Sequence, residues 1–181
     1  MKNIIACKSR TFIFYCCLLA VAIVSCKKVN DLLTFSIDNE SAITLSSLST
    51  INLPISVLTP DVVTNSSQQF QNNNSNANLV KDIRLKSILL TITNPPGQTF
   101  SFLKSIHIYI SANGSNEIEL ASQDNISSTS STLNLVPTQA KLDEYVKASS
   151  YQLRSVIVTK ETLQHDTDIK IDSKFDVTAN L

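Results

Sequence analysis

Residues 103–120 read LKSIHIYISANGSNEIEL. From Ile106 to Ile110 every second residue is isoleucine, and this period of two is typical of a β-strand with one buried face. The Asn-Gly pair at 113–114 accepts the positive φ angles that a tight hairpin needs. The alternation resumes at Ile118. The stretch therefore predicts two antiparallel strands joined by a short turn.

The same alternation recurs on both sides of this hairpin. Residues 83–93 change phase between Lys86 and Ile88, which indicates a β-bulge or a central strand buried on both faces. Pro54 restricts the strand around it to a sheet edge or a bulge. The other strand-like segments are residues 33–37, 51–57, 133–135, 150–160 and 168–178. About eight strands without alternating helices predict an all-β fold, an antiparallel β-sandwich of immunoglobulin-like architecture, with a barrel as the second choice.

One short helix is predicted among these strands. Leu142, Tyr145 and Val146 have the i, i+3, i+4 spacing of one helix face, and Thr138 is a candidate N-cap. Because strands precede and follow it, we expect this helix to cross from one sheet to the other.

The strand pattern assigns residues 32–181 to one β-sandwich domain. Residues 64–78 (TNSSQQFQNNNSNAN) are polar except for Phe70 and Ala77. We expect a flexible loop there, because so little apolar surface cannot offset the entropy of ordering. The loop would alternatively separate a small unit, residues 32–63, from the rest, but two or three strands rarely fold alone.

The first 26 residues have the pattern of an export signal. Residues 1–10 carry three basic side chains and no acidic one, and residues 11–24 carry no charge. This 14-residue run is shorter than the roughly 20 apolar residues of a membrane-spanning helix and suits a signal peptide. Up to this point the pattern is equally that of an ordinary secretory signal peptide or a short membrane anchor.

The run ends with Ile23-Val24-Ser25-Cys26, which resembles the lipobox of bacterial lipoproteins. The resemblance implies cleavage between Ser25 and Cys26, with lipid on the Cys26 thiol and on the new amino terminus. Residues 1–25 would then be a lipoprotein signal peptide and residues 26–31 a lipidated tether. No Asp follows Cys26 directly, which by the same resemblance favours the outer membrane, at its periplasmic face or at the cell surface.

A second resemblance concerns the body of the chain. Residues 91–106 (TITNPPGQTFSFLKSI) look like a segment of small, uncharacterised Bacteroidota lipoproteins with a β-sandwich. The likeness extends over residues 80–181. It implies a fold and a compartment, but no activity.

Composition argues against several functional classes. Fifteen basic and fifteen acidic residues give a formal net charge of zero, so nothing favours a nucleic acid as partner. The two glycines, Gly97 and Gly114, cannot form a Gly-rich phosphate loop or a G-x-S-x-G nucleophile elbow. All four cysteines lie within residues 1–26, so a processed chain would form no disulfide. We expect no cofactor and no metal.

His107 and Tyr109 are the candidate ligand-binding residues, because both take the outward phase of the strand at 106–110. His165 lies beside Asp166 and Asp168, but without a second nearby histidine it does not predict a metal site.

The last strand carries alternating charges. Asp168, Asp172 and Asp176 are separated by lysines at 170 and 174. The other face of this strand carries Ile169, Ile171, Phe175 and Val177, which we expect to point inward. A glycosidase needs two carboxyl groups of different pKa, whereas a lysine between each pair of acids is typical of a solvated outer face. We therefore expect no catalytic residue in this strand.

Aromatic residues are the remaining signal for a ligand. Phe100 and Phe102 alternate beside the Pro-Pro-Gly turn and are expected in the core. Tyr109 and Tyr151 would have to supply the exposed rings that glycan binding needs.

These patterns predict a lipid-anchored lipoprotein of the cell envelope whose β-sandwich is not an enzyme but a protein-interaction or structural module. The alternative is a surface glycan-binding lipoprotein of a nutrient-uptake system, and a hydrolase that uses His107 is a third, less favoured hypothesis. The expected partners are the membrane, through Cys26, and another envelope protein or a glycan.

Overall fold

Nine β-strands make up most of the computed structural model, which describes residues 34–180. In chain order the strands are β1 (Thr34–Leu45), β2 (Pro54–Leu58), β3 (Val62–Val63), β4 (Val80–Asn94), β5 (Leu103–Ser111), β6 (Ile118–Gln123), β7 (Thr132–Pro137), β8 (Ser150–Thr159) and β9 (Thr167–Ala179). The helices are α1 (Ser66–Asn72), α2 (Asp143–Val146) and a 3-10 turn at Phe100–Phe102. The predicted signal peptide (1–25), its cleavage site at Ser25 and Cys26, and the tether (26–31) lie outside the described residues.

The strands form one antiparallel sheet that curls on itself. Its order is β1-β9-β4-β7-β6-β5-β8-β2, and β3 also pairs with β8. The bend lies at β7, because residues 132–135 pair with β4 whereas residues 136–137 pair with β6. The prediction of an all-β, antiparallel, sandwich-like fold is confirmed. The early strands β1 and β2 lie at the two edges of this same sheet.

The core lies between the two halves of the curled sheet and follows from the alternation in sequence. The inward residues of β9 include Ile169, Ile171, Phe175 and Val177, all buried as predicted. The Phe175 ring meets Tyr151 of β8 edge-on, with ring centres 6.3 Å apart. This contact joins the β4–β9 half to the β5–β8 half. Burial of each large apolar side chain stabilises such a core by about 1.5–3 kcal/mol.

The bulge predicted in residues 83–93 is present in β4. Leu85 pairs with Phe175 and Ser87 pairs with Lys174, so Lys86 has no opposite residue. The extra residue lets Leu85 and Ile88 both face the core, which strict alternation would forbid. The strand is therefore bulged rather than buried on both faces. The expectation that Pro54 marks an edge strand is also confirmed.

β5 and β6 form the predicted hairpin, but their connection is longer than an Asn-Gly pair suggests. Residues 112–117 join the strands, and within the pair only Gly114 has a positive φ, +76°. The Asn113 side-chain oxygen accepts the backbone N–H groups of Ser115 at 3.1 Å and Asn116 at 3.2 Å. Asn113 thus shapes the connection through its side chain, as Asx turns do.

Helix α2 lies where a helix was predicted, and Leu142, Tyr145 and Val146 are buried. It connects β7 with β8, which are not neighbours in the sheet. The predicted N-cap is wrong, because the helix begins after Leu142 and Thr138 Oγ1 instead donates to the Glu119 carbonyl at 2.9 Å. Within residues 34–180, no helix has the length and apolarity needed to cross a bilayer.

Within the polar segment 64–78, where a flexible loop was expected, residues 66–72 form helix α1. Phe70 is buried, and its ring meets Phe35 of β1 edge-on with centres 6.2 Å apart. Thr64 Oγ1 donates to the Ala148 carbonyl at 2.6 Å. One aromatic ring and a buried hydroxyl therefore attach this polar segment to the domain.

Candidate functional site

His107 and Tyr109 lie on the outer face of β5, as the alternation predicted. Their neighbours Ile106, Ile108 and Ile110 point inward and are fully buried. β5 runs between β6 and β8, so side chains of three strands surround the two residues. We call this face, defined by His107, Tyr109 and the charged residues beside them, the β5 outer face.

His107 is held by two carboxylates. Its Nδ1 lies 2.9 Å from Glu119 Oε1, and its Nε2 lies 3.2 Å from Asp124 Oδ1. Partial burial opposes the charged imidazolium, but the hydrogen bonds and charges of Asp124 and Glu119 outweigh it and raise the pKa of His107. Only the protonated ring donates from both nitrogens. The arrangement therefore favours a positively charged His107.

Tyr109 belongs to a second set of contacts on the same face. The Arg154 guanidinium carbon lies 4.5 Å from the centre of the Tyr109 ring. Arg154 also donates from Nε to Glu117 Oε2 at 2.7 Å and from a terminal nitrogen to Oε1 at 2.5 Å. The hydrogen bonds from Arg154 lower the pKa of Glu117. This bidentate pair fixes the guanidinium against the ring.

A shallow depression of about 260 Å³ lies beside Arg154 and Glu117 and is also lined by Leu58 and Gln152. Its polar lining atoms include the two groups that already pair with each other. The depression offers a small, mixed apolar and polar surface rather than an enclosed pocket.

The chemistry open to His107 is limited by its partners. A general base needs one nitrogen free to accept a proton from substrate, whereas both nitrogens of His107 face carboxylates. Glu119 and Asp124 contact opposite nitrogens of the ring, so the three groups do not converge on one point. Within residues 34–180, no group of three His, Cys, Asp or Glu side chains is arranged to hold a metal ion.

His165 lies away from this face, in the exposed connection between β8 and β9. The two acids near His165, Asp166 and Asp168, accept hydrogen bonds from β1 and the loop after it. Asp166 accepts the Ser47 backbone N–H at 2.8 Å and its hydroxyl at 2.9 Å, and these bonds lower the pKa of Asp166. Asp168 accepts the Thr44 hydroxyl at 2.7 Å. Both carboxylates therefore attach the end of β1 and its following loop to β9 and the connection before it.

The charged face of β9 is laced with ion pairs, in line with the solvated face expected from sequence. Lys170 lies 2.9 Å from Asp172, and Lys86 of β4 lies 3.0 Å from Asp176. The Lys174 ammonium lies 3.5 Å from Asp38 of β1. A depression of about 510 Å³ runs over this face. Because lysines lie beside the acids, the carboxylates do not form an isolated acid-base pair.

One of the two tyrosines that would have supplied exposed rings for glycan binding, Tyr151, is buried. Phe100 and Phe102 are buried, as predicted. Tyr151 is buried as well, its hydroxyl accepts a hydrogen bond from Asn39 Nδ2 at 3.1 Å, and burial raises its pKa to about 12 despite that bond. Tyr151 cannot serve as the exposed ring of a glycan shelf. Tyr151 points inward because the odd-numbered residues of β8 face the core, whereas the odd-numbered residues of β5 within 105–111 face outward.

The candidates predicted from sequence did not include Glu117, Glu119, Asp124 or Arg154. The hairpin gave a usable signal for Glu119, which lies directly opposite Tyr109 on β6. Arg154 belongs to β8, which is far from β5 in sequence. Nothing in the residues around Arg154 indicates that it lies opposite Tyr109.

No family model and no curated protein matches this chain. Among solved structures it is similar to the Desmodium yellow mottle tymovirus, with a TM-score of 0.31 and 15% identity over 82% of this chain and 83% of that one. CpGH89CBM32-5 from Clostridium perfringens, solved in complex with GalNAc-β-1,3-galactose, gives a TM-score of 0.36 and 8% identity over 76% and 94% of the two chains. FLHE gives 0.29 and 9% over 82% and 98%. Similarities of this size imply no shared function.

Proposed function

We propose that this chain is a lipoprotein of the cell envelope, placed at the outer membrane, whose β-domain binds another macromolecule and catalyses no reaction. The observation that carries the proposal is the tetrapeptide Ile23-Val24-Ser25-Cys26 at the end of a short uncharged run that follows a basic start. Lipid chains contribute about 0.8 kcal/mol per buried CH₂, and two or more chains make such an anchor stable.

The contacts of the β5 outer face support a binding role. His107 engages both of its nitrogens with Glu119 and Asp124, and Arg154 engages Glu117 and the Tyr109 ring. Residues that act in catalysis need a free lone pair or an unpaired charge toward the substrate. On this face the charged groups satisfy one another, as they do on a binding or structural surface.

Glycan binding at the cell surface is the less favoured reading. It requires flat, exposed aromatic rings, and Tyr151 lies in the core. Tyr109 is half-buried, and one face of its ring lies under Arg154. A protein partner, which can use the charged rim and half-buried side chains of this face, fits these contacts better.

The anchor is tested by expressing the full chain in a bacterium and measuring its intact mass and its distribution between membrane and soluble fractions. We expect an acylated chain beginning at Cys26, found in the outer-membrane fraction of a density gradient. Cys26→Ser should keep the leader and carry no lipid. Cys17→Ser, a matched change upstream of the cleavage site, should be processed like the wild type. A free Cys26 thiol on a protein released into the medium would overturn the proposal.

The non-catalytic role is tested on the same purified protein with panels of ester and glycoside substrates. We expect no turnover above that of a His107→Ala variant. Turnover that His107→Ala abolishes, and that His165→Ala leaves intact, would contradict the proposal and establish a hydrolase.

A further inference from the structure

β2 and the loop before it form an uncharged strip at one edge of the sheet. Residues 46–60 read SSLSTINLPISVLTP and include no Asp, Glu, Lys, Arg or His. β2 ends the strand order, with β8 as its partner on one side. We call residues 46–58 the β2 edge. An edge strand presents backbone N–H and C=O groups that pair with another strand when nothing covers them.

The β2 edge also holds most of the exposed apolar side chains in the described part of the chain. Six large apolar residues are exposed within residues 34–180, and four of them belong to this strip. They are Leu48, 91% exposed, Ile51, 37%, Leu53, 56%, and Leu58, 58%. Four exposed apolar residues in one short segment point to an interaction surface, whereas single ones scattered over a protein are ordinary.

The opposite edge of the sheet is protected in the usual way. On β1, Asp38 and Glu40 point outward and lie 3.5 and 3.7 Å from Lys174 and Lys170 of β9. Charged side chains on an edge strand discourage pairing with another chain. Within residues 34–180, no strand pairs with the free side of β2, and the contrast with β1 points to a partner strand there.

The backbone groups on the free side of β2 can be assigned. Thr59, one position past β2 in the same register, donates its N–H to the Leu153 carbonyl of β8 at 2.9 Å. N–H directions alternate along a strand, so the N–H groups of Ser56 and Leu58 point away from β8. Pro54 shares that direction and has no N–H to leave unpaired.

We propose that two copies of this chain associate through their β2 strands, paired antiparallel about a two-fold axis at Ser56. In this register Ser56 exchanges reciprocal N–H···O bonds with Ser56 of the second copy, and each Leu58 donates to the Pro54 carbonyl of the other. The only hydrogen bonds missing from this ladder are the two that an N–H at position 54 would have donated to the Leu58 carbonyls. The two sheets become one continuous sheet across the dimer.

The side chains of β2 are self-complementary in this register. Ile55 faces Val57 of the second copy on the core side, where both residues are half-buried and pack against the core. On the outer side Leu58 faces Pro54, and Ser56 faces Ser56. β-branched side chains directly opposite each other pack favourably on an antiparallel strand pair. An identical strand also brings no charge to the contact, whereas a charged strand would bury unpaired charge.

Five residues of each copy, Pro54–Leu58, pair in this register, fewer than the roughly 20–30 per side of a standard interface. We therefore expect a dimer that dissociates on dilution rather than an obligate one. This inference does not depend on the lipid anchor, and a failed lipidation test leaves it intact.

The experiment uses the full chain in detergent micelles, with its four native cysteines replaced by serine and one new cysteine introduced. In a hydrogen-bonded antiparallel pair, as proposed for the two Ser56 residues, the Cα atoms lie about 5.5 Å apart, which is within the range that a disulfide spans. Ser56→Cys should form the disulfide-linked dimer under mild oxidation. Ser67→Cys, at another exposed serine, on α1, is the matched control. We expect about tenfold more linked dimer with Ser56→Cys, as the specific geometry of a disulfide requires.

A second substitution tests the contact itself. Leu58→Lys in the Ser56→Cys chain adds charge at the strip without disturbing the core, because Leu58 is exposed. It should weaken dimer formation by about tenfold or more, which corresponds to about 1.4 kcal/mol. Val136→Lys, at an equally exposed site on β7, should leave the linked dimer unchanged. Equal dimer yields from Ser56→Cys and Ser67→Cys, or a disulfide from Ser56→Cys only to a different protein, would overturn the proposal.

Discussion

Tyr109 and Arg154 lie directly opposite each other on β5 and β8, with the guanidinium carbon 4.5 Å from the centre of the tyrosine ring. Glu117 holds the guanidinium from the other side through two hydrogen bonds. The three residues come from three neighbouring parts of the sheet, so their contacts link β5, β8 and the loop before β6. This connection is a testable contribution to stability.

We expect Arg154→Ala to lower the free energy of unfolding by about 1–2 kcal/mol, since a cation–π contact and an exposed ion pair each contribute about 0.5–1 kcal/mol. Arg154→Lys keeps the charge but cannot form the bidentate pair, so it should recover only part of the loss. Urea unfolding of the three proteins measures the difference. A lysine variant as stable as the wild type would show that the fork geometry contributes nothing.

His107 predicts a pH-dependent stability. Its pKa is raised in the folded protein by Asp124 and Glu119, and the ordinary histidine pKa is about 6.5. The stabilisation is therefore fully present below about pH 6.5 and is lost as the pH rises through the higher pKa of the folded state. Urea unfolding at a series of pH values should show this decline for the wild type. The decline should be smaller for His107→Gln, and parallel curves for the two proteins would refute the assignment.

Phe70 predicts how firmly α1 is attached. Its ring is buried and packs edge-on against Phe35. Phe70→Ala should cost about 3–5 kcal/mol, as truncation of a buried phenylalanine does. Gln68→Ala, an exposed change on the same helix, should stay within about 0.5 kcal/mol. Thermal unfolding gives both values, and a cost for Phe70→Ala as small as that of Gln68→Ala would mean that α1 is not part of the cooperative core.

The contrast between Phe70 and β9 explains which parts of the fold the sequence could predict. β9 carries its inward pattern in its own alternation, so Ile169 and Phe175 were assigned to the core correctly. Phe70 stands alone in a polar run, and the surface that buries it comes from β1, distant in sequence. A pattern of period two or 3.6 reports only local faces, so the helix around Phe70 had no such signature.

The same limit applies to the candidate site. The outward positions of His107 and Tyr109 followed from alternation, but their partners depend on register. A bulge shifts the pairing of β6 so that Ala121 faces Ile108 and Glu119 faces Tyr109. Such a shift moves every later side chain relative to its neighbour. The position of Asp124 beside His107, beyond this bulge, therefore could not be predicted from sequence, whereas the hairpin register alone places Glu119 opposite Tyr109.

Tyr151 gives a prediction that separates a core tyrosine from a ligand-binding one. Its hydroxyl accepts a hydrogen bond from Asn39 Nδ2 at 3.1 Å, and burial raises its pKa to about 12. An ordinary tyrosine ionises near pH 10, so ionisation of the unfolded chain should destabilise the protein progressively above that pH. An ultraviolet titration of phenolate absorbance should show one tyrosine ionising last. Tyr151→Phe should remove that late step and cost about 1 kcal/mol by leaving the Asn39 amide without its acceptor.

Tyr109→Phe is the matched change on the outer face and should leave the late step in place. If the late step disappeared with Tyr109→Phe instead, the buried hydroxyl would belong to Tyr109 and the prediction would be wrong.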